Sequence, residues 1–208
     1  MNKSAVGMLV AGAVAVLLAF PALAVSESQG LAPGAAAPDF TATASLAGKD
    51  FTFSLKQALA KGPVVVYFYP AAYTGGCDLE AHTFATDADQ FAKAGATIIG
   101  VSADSIQRLN QFSSDPDYCA GKFPVASDAN GKIAASYGLK LIPPQPNVTD
   151  VRGKKVTHGF IPRTTFVIAK DGKIVSALSS EEDHIKPDQH VTKALAIVQQ
   201  MQQGKPLP

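Results

Sequence analysis

Residues 64–77 read Val64-Val65-Val66-Tyr67-Phe68-Tyr69-Pro70-Ala71-Ala72-Tyr73-Thr74-Gly75-Gly76-Cys77. The run up to Tyr69 is continuously apolar and aromatic and rich in β-branched side chains, which suits a central strand buried on both faces. Pro70 ends that strand, and Thr74-Gly75-Gly76 makes a turn into a helical stretch from about 77 to 94. Leu79, Phe84, Ala88 and Phe91 give this helix a partly apolar face, and Gly95 stops it. One cysteine therefore stands where a strand turns into a helix. Free backbone N–H groups and the helix dipole favour an anion there, so the Cys77 thiol is expected to fall in pKa and to hold reactive thiolate at neutral pH.

The segments on either side repeat the alternation. Before residue 64 come two short β-like stretches, 40–43 and 51–53, and one or two helical turns at 55–61 stopped by Gly62-Pro63. After Gly95 the pattern predicts a buried strand at 97–101 and a helix at 105–112 with Ser102 or Asp104 as its cap. A short strand at 123–126 and a helix at 130–137 ending at Gly138 follow. Residues 154–160 and 163–170 are strand-like, Asp171-Gly172 turns the latter into 173–178, and 191–201 forms the last helix. Strands alternating with helices and finishing in a hairpin specify an α/β sandwich with a central mixed β-sheet flanked by helices. No internal repeat interrupts it, so residues 25–208 read as a single domain.

Composition agrees with a globular protein: 208 residues, 47% apolar and 17% charged, with a net charge of +1. No basic stripe interleaved with aromatics appears, which removes the electrostatic basis for binding nucleic acid. The first 24 residues read as a signal peptide. Lys3 is its positive region, residues 7–20 its apolar region, Pro21 the break, and Ala22-Leu23-Ala24 the cleavage site. The apolar run is shorter than the roughly 20 residues that span a bilayer. The mature chain is expected to be periplasmic or secreted, with no membrane attachment after cleavage.

Thr74 occupies the position that a thioredoxin-type C-x-x-C site would give to its first cysteine. The site cannot cycle as a local dithiol. The Thr74 hydroxyl either caps the helix or hydrogen-bonds beside the thiolate. None of the four histidines is spaced with a cysteine as metal ligands are, so no metal is expected.

At these residues a family resemblance emerges. Pro70-x-x-x-Thr74-x-x-Cys77 is similar to the P-x-x-x-T/S-x-x-C motif of peroxiredoxins, and Leu79-Glu80-Ala81 resembles their following helix. Ser102-Ala103-Asp104-Ser105, Phe123-Pro124-x-x-Ser127-Asp128, and Arg163-x-Thr165-Phe166-Val167-Ile168 with Asp171-Gly172-Lys173 continue the likeness in order, over roughly residues 33–200. The bacterioferritin-comigratory (Q-type) branch is the one it most resembles. The resemblance implies a thioredoxin-like fold and a thiol peroxidase without a cofactor. Cys77 would attack the peroxide and become a sulfenic acid. Arg163, one of only three arginines in the chain, would lie beside the thiol and grip the peroxide. The Thr74 hydroxyl and the Cys77 N–H would complete the pocket, and Pro70 would shield the thiolate. Glu80 either orients Arg163 or is a solvated helix carboxylate. Tyr73 and Phe68 are wall candidates, Phe68 being better suited to core packing. The implied partners are a peroxide and a thioredoxin-like or small-thiol reductant, and the implied assembly is a monomer or homodimer.

The sequence departs from the branch in two places. Many Q-type members carry a second cysteine five residues after the first, where this chain has His82. The other cysteine, Cys119, lies in a loop-like stretch after the third helix. It has three readings: it resolves the sulfenic acid as an intramolecular disulfide, it is a bystander in a one-cysteine enzyme, or it forms a permanent structural bond with Cys77. Residues 139–152, with Pro143, Pro144 and Pro146, form an excursion that reads as a surface insertion or as a docking surface for a reductase or second subunit. Two rival functions remain, a thioredoxin-like thiol–disulfide oxidoreductase and a non-catalytic redox-sensing module. Insulin reduction would reveal the first, and rapid peroxide turnover would count against the second.

Overall fold

In a computed structural model, residues 30–206 are described; the expected signal peptide at 1–24 lies outside them. The elements run β1 (Thr41–Leu46), β2 (Lys49–Ser54), α1 (Leu55–Leu59), β3 (Val64–Phe68), α2 (Gly75–Lys93), β4 (Thr97–Ser102), α3 (Ile106–Ser114), β5 (Val125–Ser127), α4 (Lys132–Ser136), β6 (Thr164–Ile168), β7 (Ile174–Ser179) and α5 (Pro187–Gln202). They form one seven-stranded sheet in the order β2-β1-β5-β4-β3-β6-β7. β3–β4 and β4–β5 pair in parallel and the other neighbours are antiparallel, so the sheet is mixed as expected.

The continuous apolar run of β3 is explained by its position at the centre. Val65, Tyr67 and Tyr69 face one core, with α2, α3 and α5 residues such as Phe84, Phe112 and Val198. Val64, Val66 and Phe68 face the other, with Leu55 from α1, Ala134 from α4 and Tyr137 just after it. The two-residue period of a strand thus fills both layers from one segment. Tyr67 lies so close over β4 that a Cβ on Gly100 would come within 2.6 Å of its ring, which makes glycine the residue that fits there.

Three expectations are corrected. Residues 154–160 form no strand: only isolated bridges, Ile142 with Phe160 and Thr149 with Lys155, tie them to the proline-rich excursion. Pro143, Pro144 and Pro146 lack the N–H groups that a regular ladder needs. The α3 cap is Ser105, whose hydroxyl accepts from the Arg108 N–H, while Ser102 Oγ is spent on Asp104. Leu79 is 47% exposed, and the buried residues of α2 are Cys77, Asp78, Glu80, Ala81, Phe84 and Phe91. They include two carboxylates, which hydrophobic periodicity alone scores as outward positions.

Candidate active site

Sheet register brings the site together. β6 runs antiparallel to β3 with Thr164 opposite Phe68, so Arg163 emerges beside the end of β3 just as the chain turns toward Cys77. β4 runs parallel to β3 with Val101 opposite Phe68, so Ser102 and Asp104 arrive at the same end.

Cys77 lies in the first turn of α2 and is 2% exposed. Arg163 Nη2 donates to its Sγ at 3.1 Å, and Arg163 Nη1 pairs with the Glu80 carboxylate. The guanidinium therefore bridges the sulfur and a carboxylate that is itself fully buried. Of the two readings of Glu80, the solvated carboxylate is excluded and the Arg163 partner is observed. Gly76 leaves room for this bridge: a Cβ there would meet Arg163 Nη2 and Pro187 at 3.3 Å each. Pro70 is half-buried at the start of the loop. Tyr73 packs against Phe112 and Tyr118, and Phe68 belongs to the opposite core layer, facing away from the sulfur.

Thr74 holds the N-cap position of α2, yet its hydroxyl caps nothing and donates to Ala71 O at 2.7 Å. Rotation about its C–O bond swings that single proton toward the sulfur. The Cys77 N–H donates to Thr74 O at 2.8 Å, so it is not the free donor that the sequence suggested.

The thiol itself departs from expectation. Burial pushes the Cys77 thiol up from its ordinary value. Arg163, the Ala71 N–H and the Thr74 hydroxyl pull it down, Glu80 pushes it up, and burial prevails. The net direction is thus the reverse of the one expected from the helix start, because the sulfur is buried and the Cys77 N–H is engaged by Thr74 O. The thiolate form leans on Arg163. Burial also raises the Glu80 carboxyl to about 7, against the pull of Arg163.

Cys119 is fully buried in the loop after α3, in the same core layer as Cys77, and both cysteines are free. No Cys77–Cys119 bond is present in this structure. Burial pushes the Cys119 thiol well up, reinforced by Asp115 and Asp78. His82, at the position where many Q-type members have cysteine, bonds through Nδ1 to Asp117 O at 3.0 Å and holds the Cys119 loop against α2.

Two groups were not assigned to the site from sequence, where Asp104 was read as a helix cap and as part of the family likeness. Asp104, fully buried, accepts from Ala72 N–H at 2.8 Å, and the partly buried Arg108 donates through Nη2 to Ala72 O at 2.7 Å, so one ion pair grips both sides of a residue in the thiol loop. The adjoining Tyr73 has φ +60°, a conformation that costs a side-chain-bearing residue about 1–2 kcal/mol. A charged residue closing an apolar strand was the available signal for Asp104. His190, on the first turn of α5, is fully buried behind Arg163, with Nδ1 on Thr165 Oγ1 at 3.0 Å and Nε2 on Ser180 Oγ at 2.8 Å. Nothing in the sequence around it marks it.

Burial, then the Arg163 charge, lower His190 from 6.5 to about 3. Below pH 6.5 the unfolded chain takes up a proton that the folded chain refuses until about pH 3, so this stabilisation is complete above 6.5 and is lost as pH falls. Each pH unit in that window removes up to about 1.4 kcal/mol. Glu80 and Asp78, whose carboxyls are raised by burial, act in the opposite sense. The test is therefore a difference: urea unfolding of the wild type and of His190→Asn at pH 7 and pH 4.5. The wild type's lead over the variant should shrink at the lower pH, and a lead independent of pH would refute the assignment.

A buried sulfur held by an arginine at a strand-to-helix turn defines a thiol redox site. The AhpC/TSA family matches residues 33–177, and the chain belongs to that family. It is similar to the crystal structure of peroxidoxin BcpB from Mycobacterium tuberculosis, with 33% identity and a TM-score of 0.65 over 81% of this chain and 96% of that one. It is similar also to the bacterioferritin comigratory protein of Xanthomonas campestris, whose structures concern alkyl peroxide reduction, with 29% identity and a TM-score of 0.59 over 77% of this chain and 91% of that one. The chloroplastic peroxiredoxin Q of Oryza sativa subsp. japonica is 30% identical over 169 residues, 81% of this chain and 67% of that protein. The thioredoxin-like fold and the peroxiredoxin resemblance read from the sequence hold, and the chain is a thiol-dependent peroxidase.

Proposed function

We propose that the chain reduces hydrogen peroxide and organic hydroperoxides outside the cytoplasm, with Cys77 as the attacking sulfur and Cys119 as the resolving one. One observation carries the reading: Arg163 donates to the Cys77 sulfur while held by a buried carboxylate. The Cys77 thiolate attacks one peroxide oxygen. The S–O bond forms, the O–O bond breaks, and the leaving oxygen departs as water or alcohol after taking up a proton. Arg163 is the donor for the charge that develops on the breaking bond, and the Thr74 hydroxyl joins it on rotating its proton away from Ala71 O. Cys77 is left as a sulfenic acid. Cys119 then attacks that sulfur, expelling water and closing a disulfide, which an external thioredoxin-like or small thiol reduces. Both thiols are buried, so closure requires the 115–122 loop to open, breaking bonds such as that from His82 to Asp117. The extracytoplasmic site rests on the charged, apolar and Ala22-Leu23-Ala24 segments of the first 24 residues.

The test is the intact mass of the reduced mature protein after one equivalent of hydrogen peroxide. Rapid loss of two hydrogens, with a peptide joining Cys77 to Cys119, is expected. A sulfenic acid trapped on Cys77 with Cys119 still free would reject the resolving role and leave a one-cysteine enzyme served by an external thiol. No rapid change would reject peroxidase action at Cys77.

A further inference from the structure

The excursion between Leu139 and Phe160 is fastened to the thiol loop. Its two limbs are held by the Ile142–Phe160 bridge and by Val156 N–H on Val148 O, and its tip turns at Gly153 with φ +73°. From that tip the Val151 N–H donates to Tyr73 O at 2.9 Å. The Arg152 guanidinium lies over the Tyr73 ring, 3.3 Å from its centroid. Arg152 is fixed in turn by Asp150, whose Oδ2 takes its Nε at 3.2 Å and its Nη2 at 3.0 Å. The same oxygen lies 3.0 Å from Nη2 of Arg108, the arginine that holds Ala72 O. His158, farther along the excursion, bonds to the other member of that pair, Asp104, at 2.8 Å.

These contacts converge on Ala72 and Tyr73, just before Thr74. Tyr73 is the loop residue with a left-handed backbone, and strained conformations persist where the surroundings over-determine them. Without its fastening, an aromatic residue would relax to negative φ. That change would redirect the start of α2 and carry Cys77 away from Arg163.

We infer that Asp150 and Arg152 are positioning residues for the peroxide reaction: the excursion is a strap that holds Tyr73 left-handed and so holds Cys77 under Arg163. This rests on the peroxidase reading above. It gives the proline-rich segment a role that neither a plain insertion nor a docking surface supplies. A planar guanidinium is required, because it stacks on the ring and pairs side-on with Asp150 together, which an ammonium cannot do.

The test uses Arg152→Ala and Asp150→Asn in a Cys119→Ser parent, so that every thiol signal comes from Cys77. The Arg152 side chain is partly exposed and the Asp150 change is isosteric, so both variants should fold. Expected for Arg152→Ala is a fall of about tenfold in the rate of Cys77 oxidation by hydrogen peroxide. The pH profile of Cys77 alkylation by iodoacetamide should shift upward as Arg163 loses its hold, and the melting temperature should stay close to that of the parent. Asp150→Asn should change rate and profile in the same directions. Parental rate and profile in both variants would overturn the proposal. So would a rate loss that tracks a large drop in melting temperature with an unmoved alkylation profile, since that is general destabilisation. A parent whose Cys77 ignores peroxide would refute the peroxidase reading separately, while the alkylation arm still judges the strap.

Discussion

Cys77→Ser abolishes peroxide reduction, with a loss of at least about a thousandfold against the reduced wild-type protein. Peroxide reduction needs a nucleophile that can bind an oxygen and later surrender it, and a serine hydroxyl is neither ionised near neutral pH nor able to form a sulfenic acid. The substitution is nearly isosteric at a buried position where Arg163 Nη2 can donate to an oxygen as readily as to a sulfur, so the fold should survive. The remaining thiol, Cys119, is fully buried and pushed well up in pKa by that burial, so it offers no substitute nucleophile. The measurement is peroxide consumption with excess thiol reductant under metal-free conditions, with circular dichroism as the check on folding. Full activity in the variant would show that Cys77 is not the attacking sulfur.

What could be read from the sequence follows the range of each interaction. The strand at residues 64–69 is set by local rules, namely unbroken apolarity and a strand-ending proline, and stands within a residue of expectation, whereas Gly75 and Gly76, read as part of the turn, are the first two residues of α2, which begins two residues earlier than expected. Arg163 and Glu80 were legible only through the resemblance, because residues 83 apart meet through the β3–β6 register, which no local pattern encodes. The same limit explains the misreading of Leu79. Periodicity placed an apolar side chain inward and a carboxylate outward, whereas the guanidinium waiting at Glu80 makes burial of that carboxylate tolerable. The strap was seen as proline content alone. Its function lies in Asp150 and Arg152 meeting Tyr73 across the fold, and a left-handed aromatic residue has no sequence signature. The direction of the Cys77 shift was misjudged for another reason. A helix start favours an anion when its N–H groups are free and water is near; here the N–H is spent on Thr74 and the site is dry, so Arg163 alone supplies a full opposing charge.

That dependence sets the size of the second large effect. Arg163→Ala should slow Cys77 oxidation by hydrogen peroxide about a hundred- to a thousandfold, the range found when a preorganised donor is removed from a developing charge. Two losses combine. The thiolate loses the cation that counters burial, so the alkylation profile of Cys77 moves to higher pH. The breaking O–O bond loses its donor, so the rate at saturating pH falls as well. Glu80 would be left buried without its partner, but its carboxyl already sits at about 7 and can take a proton, which makes the structural penalty smaller than for a carboxylate forced to stay charged. Arg163→Ala combined with Glu80→Gln removes even that penalty and should be no more active than Arg163→Ala alone, separating chemistry from stability. Arg163→Lys should recover part of the alkylation profile and little of the rate, because an ammonium lowers a thiol pKa by charge but cannot hold Glu80 and a reacting oxygen in one plane. A rate within threefold of wild type in Arg163→Ala, or an alkylation profile that does not move, would mean that the contact between Arg163 and the sulfur is a structural ion pair and that the peroxide is activated elsewhere.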